Sequence, residues 1–131
     1  MANPNIVNVA TINGGNSAWA LTNTVTTTLL TAAADVIVKI NSIIVTNIHA
    51  SNAATVSVGI YGIGPVATGV TATSLLTDCR IANLMNVPQG DSLVLIDKPI
   101  YMMEGDILKG GASAASTLEL FASYEVINDA Q

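Results

Sequence analysis

Apolar and polar positions alternate along most of this chain with a period of two, the signature of strands with one face buried. The first alternating run is Ile6 to Ile12, and Asn13-Gly14-Gly15 after it reads as a turn because these residues tolerate positive φ. Further runs cover Ala18 to Leu21 and Thr24 to Thr31. Asp35 to His49 is too long for one flat strand. Val36, Val38 and Ile40 share one phase, whereas Ile43 and Val45 take the other. That switch at Asn41-Ser42 predicts a bulge or a strand that changes sheet at a corner. Ala50-Ser51-Asn52 is a turn, followed by a strand over Ala54 to Ile60.

Gly62 to Thr73 reads as a Gly-rich loop, and Ser74 to Asn86 suits either a strand or a short helix. Val87 to Asp91 is a turn. Short strands follow over Ser92 to Ile96, Pro99 to Met102 and Asp106 to Lys109, the last after a turn at Glu104-Gly105. Gly110 to Ser116 is a small-residue turn region. Thr117 to Ile127 closes the chain, with Leu118, Leu120, Ala122 and Tyr124 on one face and Glu119, Phe121, Ser123 and Glu125 on the other. Eight or nine short strands at this spacing predict an all-β fold, an antiparallel β-sandwich of jelly-roll or Ig-like type. One domain is expected, with residues 1–34 as an N-terminal arm or leading strands and residues 35–131 as the sandwich core.

Composition adds a second constraint. Half of the 131 residues are hydrophobic and only 10% are charged, against roughly 25% in soluble domains. Such a chain has ample material for a core and is not a disordered one. Its net charge is −5, and its basic residues, Lys39, Arg80, Lys98 and Lys109, are scattered. Nucleic-acid binding needs clustered cations, so no nucleic-acid partner is expected. No membrane partner is expected either. The uncharged stretches Met1 to Ala34 and Ile40 to Thr77 are punctuated by Thr, Asn, Ser and Gly, which excludes a spanning helix. One Trp, three Tyr and one Phe are too few for the aromatic girdles of a membrane barrel. No secretory signal pattern opens the chain. The single Cys79 cannot form an internal disulfide, which suits assembly in a reducing cytoplasm.

Candidate chemistry is sparse. His49 is the only histidine, thirty residues from Cys79; His49 reads as an exposed turn residue and Cys79 as a small buried thiol, rather than as a Cys–His site. Asp91, Asp97, Glu104 and Asp106 match no calcium-loop spacing and read as solvated turn residues. Glycines 59, 62, 64 and 69 lack the GK[ST] of a phosphate loop. No catalytic residues, cofactor or metal are therefore expected, and the chain is not expected to be an enzyme. The residues that stand out are contact residues. Trp19 either anchors an arm on a neighbour or packs in the core. Phe121 lies on the polar phase of its strand. Tyr61, Met102 and Met103 complete the interface candidates, and at most one of the adjacent methionines can enter a given core. A monomer normally keeps itself soluble with charge, so the deficit predicts a surface covered by copies of this chain or by another partner.

Several segments also resemble a known group. Ile43-Ile44-Val45-Thr46-Asn47-Ile48 followed by Ser51 to Tyr61 is similar to a hairpin of small virion proteins from tailed bacteriophages. Leu95 to Lys109, with Pro99-Ile100 and Gly105-Asp106-Ile107-Leu108, resembles a later segment of the same proteins. Ala112 to Ser116 with Leu118 to Val126 resembles their closing strand. The resemblance spans about residues 35 to 127. It implies a β-sandwich capsid decoration, or cement, protein: a homo-oligomer, with a trimer favoured, bound to the major capsid protein on the virion surface. Alternatives are a tail, neck or fibre component, and a carbohydrate-binding sandwich using Tyr61, Tyr101 and Tyr124 for host recognition.

Overall fold

The computed structural model describes residues 9–64 and 69–129. Nine strands make up the regular structure of these residues: β1 (Val9–Ala20), β2 (Thr28–Thr31), β3 (Val36–Asn47), β4 (Ala54–Tyr61), β5 (Cys79–Val87), β6 (Ser92–Ile96), β7 (Ile100–Met102), β8 (Ile107–Ala112) and β9 (Leu118–Asp129). They form two antiparallel sheets. The first has the order β1-β9-β3-β6, with β7 also paired to β3; the second has the order β2-β8-β4-β5.

Successive strands cross between the sheets at almost every connection, and only β4 to β5 and β6 to β7 stay within one sheet. This is the strand order of a jelly roll. β6 and β7 pair with successive parts of β3, Ile43–Thr46 and Val38–Ile40 respectively. They act as one interrupted strand. The break falls at Asp97-Lys98-Pro99, where proline has no N–H to donate to a ladder.

The core lies between the sheets. Ile40, Ile43, Val45, Val56, Val58, Met102, Leu108, Leu118, Leu120 and Ala122 are all at or below 1% exposure. The phase switch in β3 is a bulge. Ile40 pairs with Tyr124 and Ser42 with Ser123, so Asn41 is the extra residue. Without it Ile43 and Val45 would point to solvent, because a one-residue slip reverses every side chain. Asn41 donates through Nδ2 to Glu125 Oε1 at 3.3 Å.

Two local expectations are corrected, and one left open is decided. Asn13-Gly14-Gly15 is not a turn, because β1 runs through it and pairs residue by residue with β9 from Thr11 to Ala20. The ring of Tyr124 occupies the space beside Gly15, where a Cβ would come within 3.0 Å of Tyr124 Cε2, and its hydroxyl lies 2.7 Å from Ser17 Oγ. Gly110, Gly111 and Ala112 belong to β8 rather than to a turn. Ser74 to Asn86 contains no helix, and from Cys79 it forms edge strand β5. The part of the first predicted strand before Val9 lies outside the described residues, as do residues 65–68 of the Gly-rich loop. From Val9 to Thr31 the chain supplies one edge strand to each sheet.

Candidate functional site

The outer face of the first sheet can be read in rows from the strand register. Ala18 pairs with Phe121, Phe121 with Ile44, and Ile44 with Val94. β9 buries Leu118, Leu120 and Ala122 inward, so strand alternation turns this whole row outward. The result is an apolar stripe across β1, β9, β3 and β6, with Phe121 42% and Val94 55% exposed. The next row is mostly polar: Ala20, Glu119, Thr46 and Ser92 stand in register, and the Thr46 and Ser92 hydroxyls are 2.9 Å apart. Between the two rows opens a cleft of about 350 Å³, lined by Ala18, Trp19, Ala20, Ile44, Thr46, Glu119, Leu120 and Phe121.

A second apolar feature lies on the other sheet. Every described residue from Gly69 to Ile81 is exposed, including Val70, Leu75 and Leu76. The return of this excursion is anchored: Ile63 N–H donates to Thr77 O at 2.8 Å and Gly62 N–H to Asp78 Oδ1 at 3.0 Å. β5 continues the exposed surface. Asn83 and Leu84 form a bulge opposite Ser57, with Leu84 at φ 53° and its N–H donated to Ser57 Oγ at 3.0 Å. Leu84 and Met85 are exposed. Bulges of this kind interrupt an edge that could otherwise pair along its length.

The contact candidates separate clearly. Phe121 is exposed on the outer face of the first sheet. Trp19 is half-buried and packs against the protein's own core while also reaching the cleft wall. Tyr61 is half-buried, with Lys109 Nζ 4.9 Å from its ring centroid. Met102 is fully buried, so it fills the core and presents no surface. Met103 is half-buried. Of the tyrosines considered for sugar binding, Tyr101 alone is exposed, at 49%.

His49 and Cys79 do not meet. His49 lies next to the start of β4, and Cys79 pairs with Ile60 near its end. Six strand steps, from Ala54 to Ile60, separate those levels, roughly 20 Å at about 3.3 Å per residue. Cys79 is exposed rather than buried. His49 is half-buried, and its Nδ1 accepts the N–H groups of Ser51 and Asn52 at 3.1 and 3.0 Å, which shapes the turn. Among the described residues, no group of three or more His, Cys, Asp or Glu side chains is placed to hold a metal. No helix among them is long and apolar enough to cross a membrane.

Two of the acidic residues accept backbone N–H groups. Asp91 Oδ1 accepts Ser92 N–H at 2.8 Å, and Glu104 Oε2 accepts Asp35 N–H at 2.7 Å. Asp106 is buried, which a solvated-turn reading does not anticipate. Its Oδ2 accepts Met103 N–H at 2.9 Å, while Oδ1 has no hydrogen-bond partner among the described residues. Burial raises its pKa above the usual carboxylate value, opposed by the backbone N–H groups of Met103 and Gly64. The folded chain therefore holds this proton to higher pH than the unfolded chain. The associated stability is fully present below the unfolded value and is lost as pH rises through the raised folded value. Asp106→Asn keeps the acceptor for Met103 and removes the titration. Urea midpoints of both proteins from pH 7 downward should show the advantage of the variant shrinking as pH falls. Parallel curves would contradict this account.

No family model matches the chain, and no curated protein matches it. Among solved structures, a protein of the Bacillus endospore appendages, which form a novel family of disulfide-linked pili, is similar in fold at 14% identity with a TM-score of 0.49. The alignment covers 92% of this chain and 88% of that one.

Proposed function

We propose that the protein is a non-catalytic structural subunit of a larger particle, and specifically a capsid decoration protein of a tailed bacteriophage. The observation that carries the structural reading is the uncovered apolar stripe Ala18–Phe121–Ile44–Val94 on the outer face of the first sheet. A monomer gains nothing by exposing such a row, whereas a subunit buries it against a neighbour at about 25 cal/mol per Å² of apolar area. The scarcity of charge supports the same reading, since few ionic groups need be desolvated on docking. The resemblance of residues 35–127 to small phage virion proteins supports the capsid assignment. Attachment at many equivalent positions makes weak individual contacts sufficient.

The test is to add purified protein to phage heads stripped of their decoration proteins. Saturable binding in hundreds of copies, with heads that resist heat-induced DNA release better than bare ones, is the expected result. Binding in only a few to dozens of copies would favour a tail, neck or fibre station. A chain that stays monomeric in light scattering and ignores heads would refute the proposal, and glycan-array binding by such a monomer would revive the carbohydrate-binding alternative.

A further inference from the structure

We infer that two copies of this chain join along the open edge of β1, antiparallel about a two-fold axis at Gly15, so that the first sheet of one copy continues into that of the other. The inference rests on the subunit reading above and names one of its joints. Among the described residues β1 pairs with β9 alone, and its other side is open. Each of the other sheet edges carries a device that discourages pairing. β2 is only four residues long. β5 is broken by the bulge at Asn83-Leu84. β6 and β7 are separated at Asp97-Lys98-Pro99. β1 has twelve residues with no charge and no proline, and its register with β9 is unbroken from Thr11 to Ala20.

The direction of each backbone group on that edge follows from one hydrogen bond. Leu21, directly after β1, donates its N–H to Leu118 O at 2.9 Å, in the same register as Ala20 with Glu119. In an antiparallel ladder successive residues alternately turn both N–H and C=O toward the partner strand and away from it. The odd-numbered residues of β1 therefore bond to β9, whereas Ile12, Gly14, Asn16 and Ala18 turn their N–H and C=O groups to the open edge. An added strand satisfies them, and main-chain bonds of this kind give affinity without side-chain charge.

The outer face of the sheet selects β1 of a second copy as that strand. Besides the row Ala18–Phe121–Ile44–Val94, this face carries the apolar row Ile12–Ile127–Ile37. Ile12, at the open end of the second row, is 59% exposed. The two rows lie six residues apart along β1, roughly 20 Å at about 3.3 Å per residue, so they do not meet within one molecule. Antiparallel pairing about Gly15 sets Ile12 of each copy opposite Ala18 of the other, and Gly14 opposite Asn16. The two rows then run end to end across the joined sheets, once on each side of the axis. Slipping to the next in-phase register sets Ile12 opposite Asn16 or Ala20 and breaks that continuity. β1 carries no charge, so no like charges oppose each other across the joint. The contact is isologous and closes as a dimer, a two-fold unit in place of the three-fold one that the resemblance implies.

Sedimentation velocity on the full chain tests this, with a reversible monomer–dimer equilibrium as the expected result. Asn16→Pro removes an N–H from the open edge and sets its ring where the second strand lies, leaving the bonds to β9 intact. It should weaken dimerisation about tenfold or more, since the two-fold axis repeats each loss, with the far-UV circular dichroism unchanged. Cross-linking checks the register independently. With the exposed Cys79 replaced by serine, chains carrying Asn13→Cys are mixed with chains carrying Ser17→Cys and oxidised. These positions stand directly opposite in a non-hydrogen-bonded pair, within disulfide reach. The mixture should yield a covalent dimer and neither chain alone should, because each position is out of register with its own copy. A natural chain that is monomeric or trimeric, an Asn16→Pro chain that dimerises as well as the natural one, or a mixture that does not cross-link refutes the joint; heads that such a chain still decorates leave the subunit reading standing. A chain that dimerises and cross-links as expected but ignores heads keeps the joint and overturns the capsid assignment.

Discussion

Replacing Asn47 with alanine should cost about 3 kcal/mol and lower the melting temperature by on the order of 10 °C. Asn47 is 2% exposed and ends β3. Its Nδ2 donates to Asn52 O and to Val87 O, both at 2.9 Å, and its Oδ1 accepts His49 N–H at 2.8 Å. One side chain thus holds the turn from β3 to β4 and the end of β5. Truncation leaves two carbonyls and one N–H without their partner, and a buried unpaired group costs about 1–3 kcal/mol. Asn47→Asp is the sharper probe: it keeps the acceptor for His49 but sets a carboxylate against two carbonyl oxygens. It should be at least as damaging as alanine. Urea denaturation checks both, and an aspartate variant as stable as the natural protein would overturn this account.

Gly111→Ala should be the other severe substitution, at roughly 3 kcal/mol from overpacking and lost backbone bonds. A Cβ there would collide with Thr24 O and stand 2.8 Å from Val25 Cα, both backbone atoms that cannot rotate aside. The β1–β2 connection crosses β8 at this point. Its carbonyls accept Gly110 N–H from Thr27 at 3.0 Å and Ala112 N–H from Thr22 at 2.8 Å. Making room for one methyl group displaces that connection and weakens both bonds. Gly14→Ala is the matched control, since nothing lies within 4 Å of a Cβ at Gly14. It should be neutral or slightly stabilising, by up to about 1 kcal/mol, because alanine has less freedom to lose on folding. Comparable melting temperatures for the two variants would refute the close-approach explanation.

The same residues show where local reading works and where it stops. The bulge in β3 was legible because a change of phase leaves a mark within ten residues. Asn13-Gly14-Gly15 carries the local chemistry of a turn, but what settles it is Tyr124, more than a hundred residues away, whose ring needs the room beside Gly15. Gly110-Gly111 has the local chemistry of a turn for a related reason. Small residues serve both turns and crowded strands, and nothing nearby in the chain announces the crossing at Thr24. Asp106 has the local chemistry of a solvated turn residue, and its burial depends on segments packed from elsewhere.

The surface divides along the same line. Phe121 was visible from the sequence, being apolar on the polar phase of its strand. Its neighbours Ala18, Ile44 and Val94 join it only through register across four strands, which no local pattern announces. Leu75 and Leu76 could have been noticed as a pair of leucines in a Thr- and Ser-rich stretch, but their exposure belongs to the anchored excursion before β5. Met102 and Met103 followed alternation, one inward and one half-buried.

Alternation and β-branched composition are properties of neighbouring residues, so the strands, their buried faces and the all-β class are written directly in the chain. The scarcity of charge is equally direct. Strand order, the level at which one strand meets the next, and the joining of Phe121 with Ile44 and Val94 in one row come from pairings between distant segments. Those pairings are chosen by the joint packing of both sheets, a cooperative property that no single stretch of sequence contains.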